Sequence, residues 1–195
     1  MTLAIFDFDG TITKGDSLVR FILYTHGSLR TAIGFLVLSP VLFLYVLKIL
    51  PNWKTKEIVL AYCYKGWDLE LFNRLAAEFA KSDLNKIVKP AALEKIKWHI
   101  NEGHRVVVVS ASIENYLESW CWANRVELLG TRLQIEDGQL TGKIEGKNCH
   151  GPEKVRRIQE KYNLKDFDFV YAYGDSRGDL ALKEIAQEFH YCTFK

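Results

Sequence analysis

Short apolar runs alternate with longer stretches of helical spacing along most of the chain. Residues 3–6 are apolar and predict a buried strand. Arg105-Val-Val-Val-Val-Ser110 carries four consecutive valines, the mark of a strand covered on both faces. Residues 167–173 predict another buried strand, ending at Gly174-Asp175. Residues 128–144 predict short strands with a hairpin turn at Asp137-Gly138. Helices are predicted between these runs. Asp16 and Ser17 can cap one over 18–24, and Pro90 opens another with Leu93, Ile96 and Ile100 on one face and Gly103 as its stop. Residues 113–124 place Leu117, Trp120 and Cys121 together, 152–162 form a charged helix, and a last helix covers 180–188. This alternation predicts the α/β class, with a mostly parallel, Rossmann-like sheet at its core.

Residues 16–89 interrupt that alternation. Residues 53–89 have an amphipathic helical pattern with Leu71, Leu75 and Phe79 on one face. Before them, residues 31–47 hold no charged side chain, and Pro40 should kink this run or split it into a hairpin. As a helix the run would span about 26 Å, short of a ~30 Å hydrocarbon core. The segment 16–89 carries ten Lys and Arg against six Asp and Glu, so it is basic in a chain whose net charge is only +2. Arg20, Arg30, Lys48, Lys54 and Lys56 flank the apolar run, and Trp53 sits at its edge, as in an interfacial anchor. Contact of residues 31–50 with the inner membrane surface is therefore expected. A buried helix pair, or a homodimer face, satisfies the same pattern.

At 195 residues and 48% hydrophobic, the chain can form one domain plus an insert. Its charge gives no reason to expect nucleic acid. Cys63, Cys121, Cys149 and Cys192 have no metal-ligand spacing and fit reduced thiols of a cytoplasmic protein. The opening residues do not resemble a secretory leader.

The candidate chemistry begins where the first strand ends. Asp7 and Asp9 are two residues apart and would face one site in an extended chain. Gly10 and Thr11 follow at a turn, where backbone N–H groups can approach an anion. Two carboxylates beside an anion make sense if a divalent cation lies between them; an ordinary polar turn is the plainer alternative. Ser110 and Asp175 also lie at the carboxyl ends of predicted strands, where α/β sheets build their sites. The five histidines have no metal-ligand spacing, and His150 fits a structural or surface role.

Four segments taken in order, Asp7-Phe-Asp9-Gly-Thr11, Val-Val-Ser110, Lys154 and Gly174-Asp175-Ser-Arg-Gly-Asp179, resemble the motifs of the haloacid dehalogenase superfamily, closest to its phosphoserine phosphatase branch. The resemblance implies a Mg2+-dependent phosphomonoester hydrolase with a core at 1–15 and 90–195 and a helical cap at 16–89. It implies that Asp7 is the nucleophile and Asp9 the general acid and base. Ser110 and Lys154 would bind the phosphoryl group, with Gly10 and Ala111 completing the cradle through their N–H groups. Asp7, the Asp9 carbonyl and Asp175 would hold Mg2+, with Asp179 orienting a water or Lys154 from behind. The apolar, basic composition of the cap is similar to that of the phosphatidylglycerophosphatase C type. That similarity turns the expected substrate from an amino-acid phosphate toward a lipid phosphate. A soluble metabolite phosphatase, or a phosphate-binding protein without turnover, remains open on the residues alone.

Overall fold

The computed structural model describes residues 1–194. Its strands are β1 (Thr2–Phe6), β2 (Arg105–Ile113), β3 (Glu127–Glu136), β4 (Gln139–Glu145), β5 (Phe169–Gly174) and β6 (Glu188–Tyr191). They form one sheet in the order β4-β3-β2-β1-β5-β6, with every neighbouring pair parallel except β3–β4. β1 lies between β2 and β5, which sets the ends of all three side by side.

The valine run explains the centre of this sheet. Val106 and Val108 point to one face, with Ala4, Phe6 and Tyr173. Val107 and Val109 point to the other, with Leu3, Ile5 and Ala172. Each face is covered, so each valine side chain contributes about 1.5–3 kcal/mol relative to exposure. Helices α1 (Ser17–Val46), α2 (Asn52–Tyr64), α3 (Leu69–Lys81), α4 (Asp83–Ile87), α5 (Pro90–Asn101) and α6 (Glu114–Ala123) supply residues to the first core. Helix α7 (Pro152–Lys161) and a 3₁₀ segment, Arg177–Glu184, supply the second.

Three expectations need correcting. The buried face of α3 is Phe72, Ala76, Phe79 and Ala80; Leu71 is exposed and Leu75 only half-buried. The pattern has the right period but is rotated, because Phe72 and Phe79 both pack on Phe21 of α1. The helical pattern over 53–89 is carried by three helices, α2, α3 and α4. The last helix is a 3₁₀ segment followed by β6, because residues 188–191 pair with β5 at the sheet edge. Finally, Pro40 does not break α1. The Ser39 hydroxyl donates to the Leu36 carbonyl at 2.7 Å, satisfying the acceptor that proline leaves without its N–H. The break falls at Gly27 instead (φ 74°, ψ 168°).

Helix α1 is long and apolar enough to cross a membrane by length and composition, and only 17% of its most apolar window is buried. Leu29, Leu36, Phe43 and Val46 are more than 60% exposed. Helix α2, by contrast, is fixed against β4. A Cβ on Gly142 (φ 80°) would lie 2.4 Å from the Ala61 Cα, so the two backbones meet only because residue 142 has no side chain. Glu57 accepts from the Ile144 N–H at 3.2 Å, and the Gly66 N–H donates to the Leu140 carbonyl at 2.8 Å. This close contact sets the start of α2 over the ends of β1 and β2.

Behind the sheet, His99 is fully buried, hydrogen-bonded to the Tyr173 hydroxyl at 2.9 Å and to His104 at 2.8 Å. Burial, and then Lys95 and His104, push its pKa down to about 3. The folded protein therefore holds His99 neutral, while the unfolded chain takes up a proton near its ordinary value of 6.5. Its contribution is fully present above that pH and is lost on acidification, with a slope of up to about 1.4 kcal/mol per pH unit. Urea unfolding between pH 7.5 and 5 should show this decline, and His99→Gln, which cannot protonate, should flatten it. An equal slope in the variant would contradict the assignment.

Candidate active site

Asp7 follows β1, and its N–H donates to the Tyr173 carbonyl at 2.9 Å, so the pairing with β5 continues one residue past the strand. The intervening Phe8 is fully buried and packs edge-on against Trp120, which anchors the loop. Asp7, Asp9, Ser110, Ala111 and Lys154 all line one pocket of about 220 Å³. Asp175 joins them from the end of β5: the Thr11 hydroxyl donates to Asp7 at 3.4 Å and to Asp175 at 3.2 Å. Gly10 (φ 79°) is the pivot. A Cβ there would lie 2.0 Å from Asp175 Oδ2, so only glycine lets this loop pass the carboxylate.

Lys154 projects from α7 and is buried between Asp7 and Asp179, at 2.5 Å from each. Burial alone would lower its pKa, but Asp7 and Asp179 outweigh that and hold the ammonium above its ordinary value. Asp179 is pinned from its other oxygen by the Ser176 N–H and hydroxyl at 2.9 and 2.6 Å. Burial raises its pKa, and Lys154 more than reverses this, so the carboxylate stays ionised. For Asp7, burial dominates over the pull of Lys154; with Asp179 and Asp9 also opposing ionisation, its pKa rises to about 7. Burial, and then the nearby Asp179, raise Asp175 as well.

Burial of the acids thus outweighs what Lys154 relieves at Asp7 and Asp175, but not at Asp179. Asp7, Asp175 and Asp179 each offer a carboxylate oxygen within 4.8 Å of the others. This is an oxygen donor set suited to a hard divalent cation, and such an ion would lower the raised acids. Both Asp179 oxygens already have hydrogen-bond donors, whereas Asp175 Oδ2 has none among the described residues. The Asp9 carboxylate is also committed: it accepts from the Ser112 hydroxyl and, at 2.9 Å, from the Ser17 N–H. Its main-chain carbonyl has no donor among the described residues. The acidic cluster of Asp7, Asp175 and Asp179 fits a hard divalent cation such as Mg2+.

Several residues at the site had no clear signal in the sequence. Ser112 repeats the direction of Ser110 two residues on, which was legible in principle. Its hydroxyl also meets Ser17 at 3.1 Å, and Ser17 meets the buried Tyr116 hydroxyl at 3.0 Å. Together they support Asp9, whose pKa is raised by burial and then by Asp16, against these hydrogen bonds. Lys56 was read as a flanking surface charge, yet it lines the pocket. Its ammonium donates to the Ala111 carbonyl at 2.7 Å and to Asn148 at 3.3 Å. Burial lowers its pKa, with Asp9 and Asp16 opposing. His150 is exposed at the rim of the same pocket.

Among proteins of known sequence, the chain is 32% identical to Protein CicA of Caulobacter vibrioides, over 99% of this chain and 86% of that one. It is 29% identical to a probable phosphatase of Mycobacterium tuberculosis, over 94% of this chain and 66% of the relative. Among solved structures, a Bordetella pertussis protein of unknown function superimposes with a TM-score of 0.83 at 24% identity, over 96% of this chain and 88% of that one. A substrate-bound phosphoserine phosphatase gives 0.70 at 17% identity, over 97% and 84%, a likeness of fold. The sequence pattern of the haloacid dehalogenase-like hydrolases matches residues 4–184, from β1 to the end of the last 3₁₀ segment. With that match covering β1 to β5 and the acidic pocket at their ends, the chain belongs to the haloacid dehalogenase-like hydrolases.

Proposed function

We propose that this chain is a phosphomonoester hydrolase that works through an aspartyl phosphate on Asp7. The observation that carries the reading is the convergence of Asp7, Asp9, Ser110 and Lys154 in one pocket, with Asp175 at its edge. A carboxylate oxygen of Asp7 attacks phosphorus, and the bond from phosphorus to the leaving oxygen breaks. Asp9 gives its proton to that oxygen, for which its raised pKa suits it. In the second step Asp9 takes a proton from water, the water oxygen attacks phosphorus, and the bond to Asp7 breaks to release phosphate. Ser110 donates to a phosphoryl oxygen, and Lys154 offsets the charge that builds on the phosphoryl group. When bound by Asp7, Asp175 and the Asp9 carbonyl, Mg2+ supplies Lewis-acid stabilisation of the same charge.

Helices α1–α4 act as the cap, and the substrate is a lipid phosphate presented at a membrane surface. Support comes from the exposed apolar side chains of α1 and the loop after it, with Lys48 and Lys54 beside them and Trp53 half-exposed. Phosphate release with Mg2+ should favour phosphatidylglycerophosphate in mixed micelles over phosphoserine and a small aryl phosphate. The protein should also pellet with anionic vesicles, and Leu36→Ser/Phe43→Ser should abolish pelleting while leaving release from the aryl phosphate within about twofold. Preference for phosphoserine, with no pelleting, would make the cap a packed lid or a subunit face and overturn the lipid assignment.

A further inference from the structure

A second and larger cavity, about 880 Å³, adjoins the catalytic pocket. One wall is the start of α2, with Pro51 and Trp53. The other is the end of β4 and the loop into α7, with Ile144, Gly146 and Pro152. Asn52 and His150 line both the groove and the catalytic pocket, so the two spaces adjoin at those residues. The junction is held in shape: Asn148 donates to Asn52 at 2.9 Å and accepts from Lys56 at 3.3 Å. The two acids in the groove wall are already engaged. Glu57 accepts from the Ile144 N–H and from Lys54, and Glu153 accepts from Arg156 and Arg157. They leave no unpaired negative charge in a groove that Lys147 and Arg156 also line.

Resting on the phosphatase reading, we propose that this groove takes the hydrocarbon part of the leaving alcohol, and that the enzyme reads chain length on single substrate molecules. The catalytic pocket, about 220 Å³, has a quarter of the volume of the groove beside it. The groove lies within the size range of small-ligand sites, roughly 300–1,000 Å³, and Pro51 in its wall follows the exposed Leu47 and Ile49 in sequence. A chain of eight to ten carbons lying against Trp53 and Pro51 would bury surface that a two-carbon substrate cannot reach; at roughly 0.8 kcal/mol per methylene, three buried methylenes already give more than tenfold in affinity. Trp53 is the specificity-determining side chain, because it is half-exposed and forms an open wall of the groove.

The test is inorganic phosphate release from n-alkyl phosphates of two to ten carbons, each below its aggregation threshold and without a membrane. The wild type should show kcat/KM rising at least tenfold with length, mainly through KM. Trp53→Ala should cut the ratio of decyl to ethyl phosphate at least fivefold, and Trp53→Phe should restore much of it. A flat profile in the wild type, or an unchanged ratio in Trp53→Ala, would overturn the groove assignment while leaving the phosphatase reading intact. Absence of turnover on every member of the series would overturn both.

Discussion

Asp7→Asn stops phosphate release, by about 10⁴-fold or more, without unfolding the protein. The size of the loss follows from removing the proposed nucleophile. The retained fold follows from the electrostatics. The folded state already resists ionisation of Asp7, raising its pKa to about 7, so an uncharged side chain of the same shape relieves the burial of a charge and, less so, crowding with Asp179 and Asp9. Lys154 loses one partner and keeps Asp179. The melting temperature should therefore not fall by more than a few degrees. Residual activity above about 1% of the wild type would remove Asp7 from the role of nucleophile; a large fall in melting temperature would show that the pair with Lys154 outweighs the crowding.

Lys154→Met damages both activity and stability. The variant leaves the buried Asp7 and Asp179 facing each other without a cation, and breaking a buried pair in this way costs about 3–5 kcal/mol. Turnover falls with it, because the phosphoryl charge loses its nearest ammonium. The sign of the pH effect is specific. In the wild type, Asp179 is held ionised by Lys154, so its contribution is present at neutral pH and is lost as pH falls through its depressed folded pKa. In Lys154→Met both acids are raised, so protonation relieves the folded state and the deficit relative to the wild type shrinks from pH 7.5 to 5.5. Urea unfolding at the two pH values measures this; a deficit that grows on acidification would contradict the account.

The convergence of the candidate residues at one sheet edge was legible because they sit on patterned strands. Asp7, Ser110 and Asp175 end apolar runs, and the order β2-β1-β5 brings those ends together. The parallel sheet itself was legible in four valines that alternate between two cores. The helical segment was less so. Its composition showed an apolar, basic run, but Pro40 misled because its consequence depends on a local hydroxyl, Ser39, rather than on proline alone. The face of α3 depended on where Phe21 lies, and the fate of residues 188–191 depended on a sheet edge formed by β5. Lys56 was illegible for a simpler reason: a lysine on a helix looks solvated until the neighbouring helix face, here against β4 and Ala111, is known.

The central claim is the covalent intermediate, and trapping tests it most directly. The protein would be mixed with Mg2+ and a turned-over phosphomonoester, quenched in acid within a single turnover, and reduced with borohydride, which converts an aspartyl phosphate to homoserine. Peptide mass spectrometry should find homoserine at position 7, and none at position 9. A protein that releases phosphate at full rate with Asp7 unmodified throughout, or with the label on any other residue, would contradict the account.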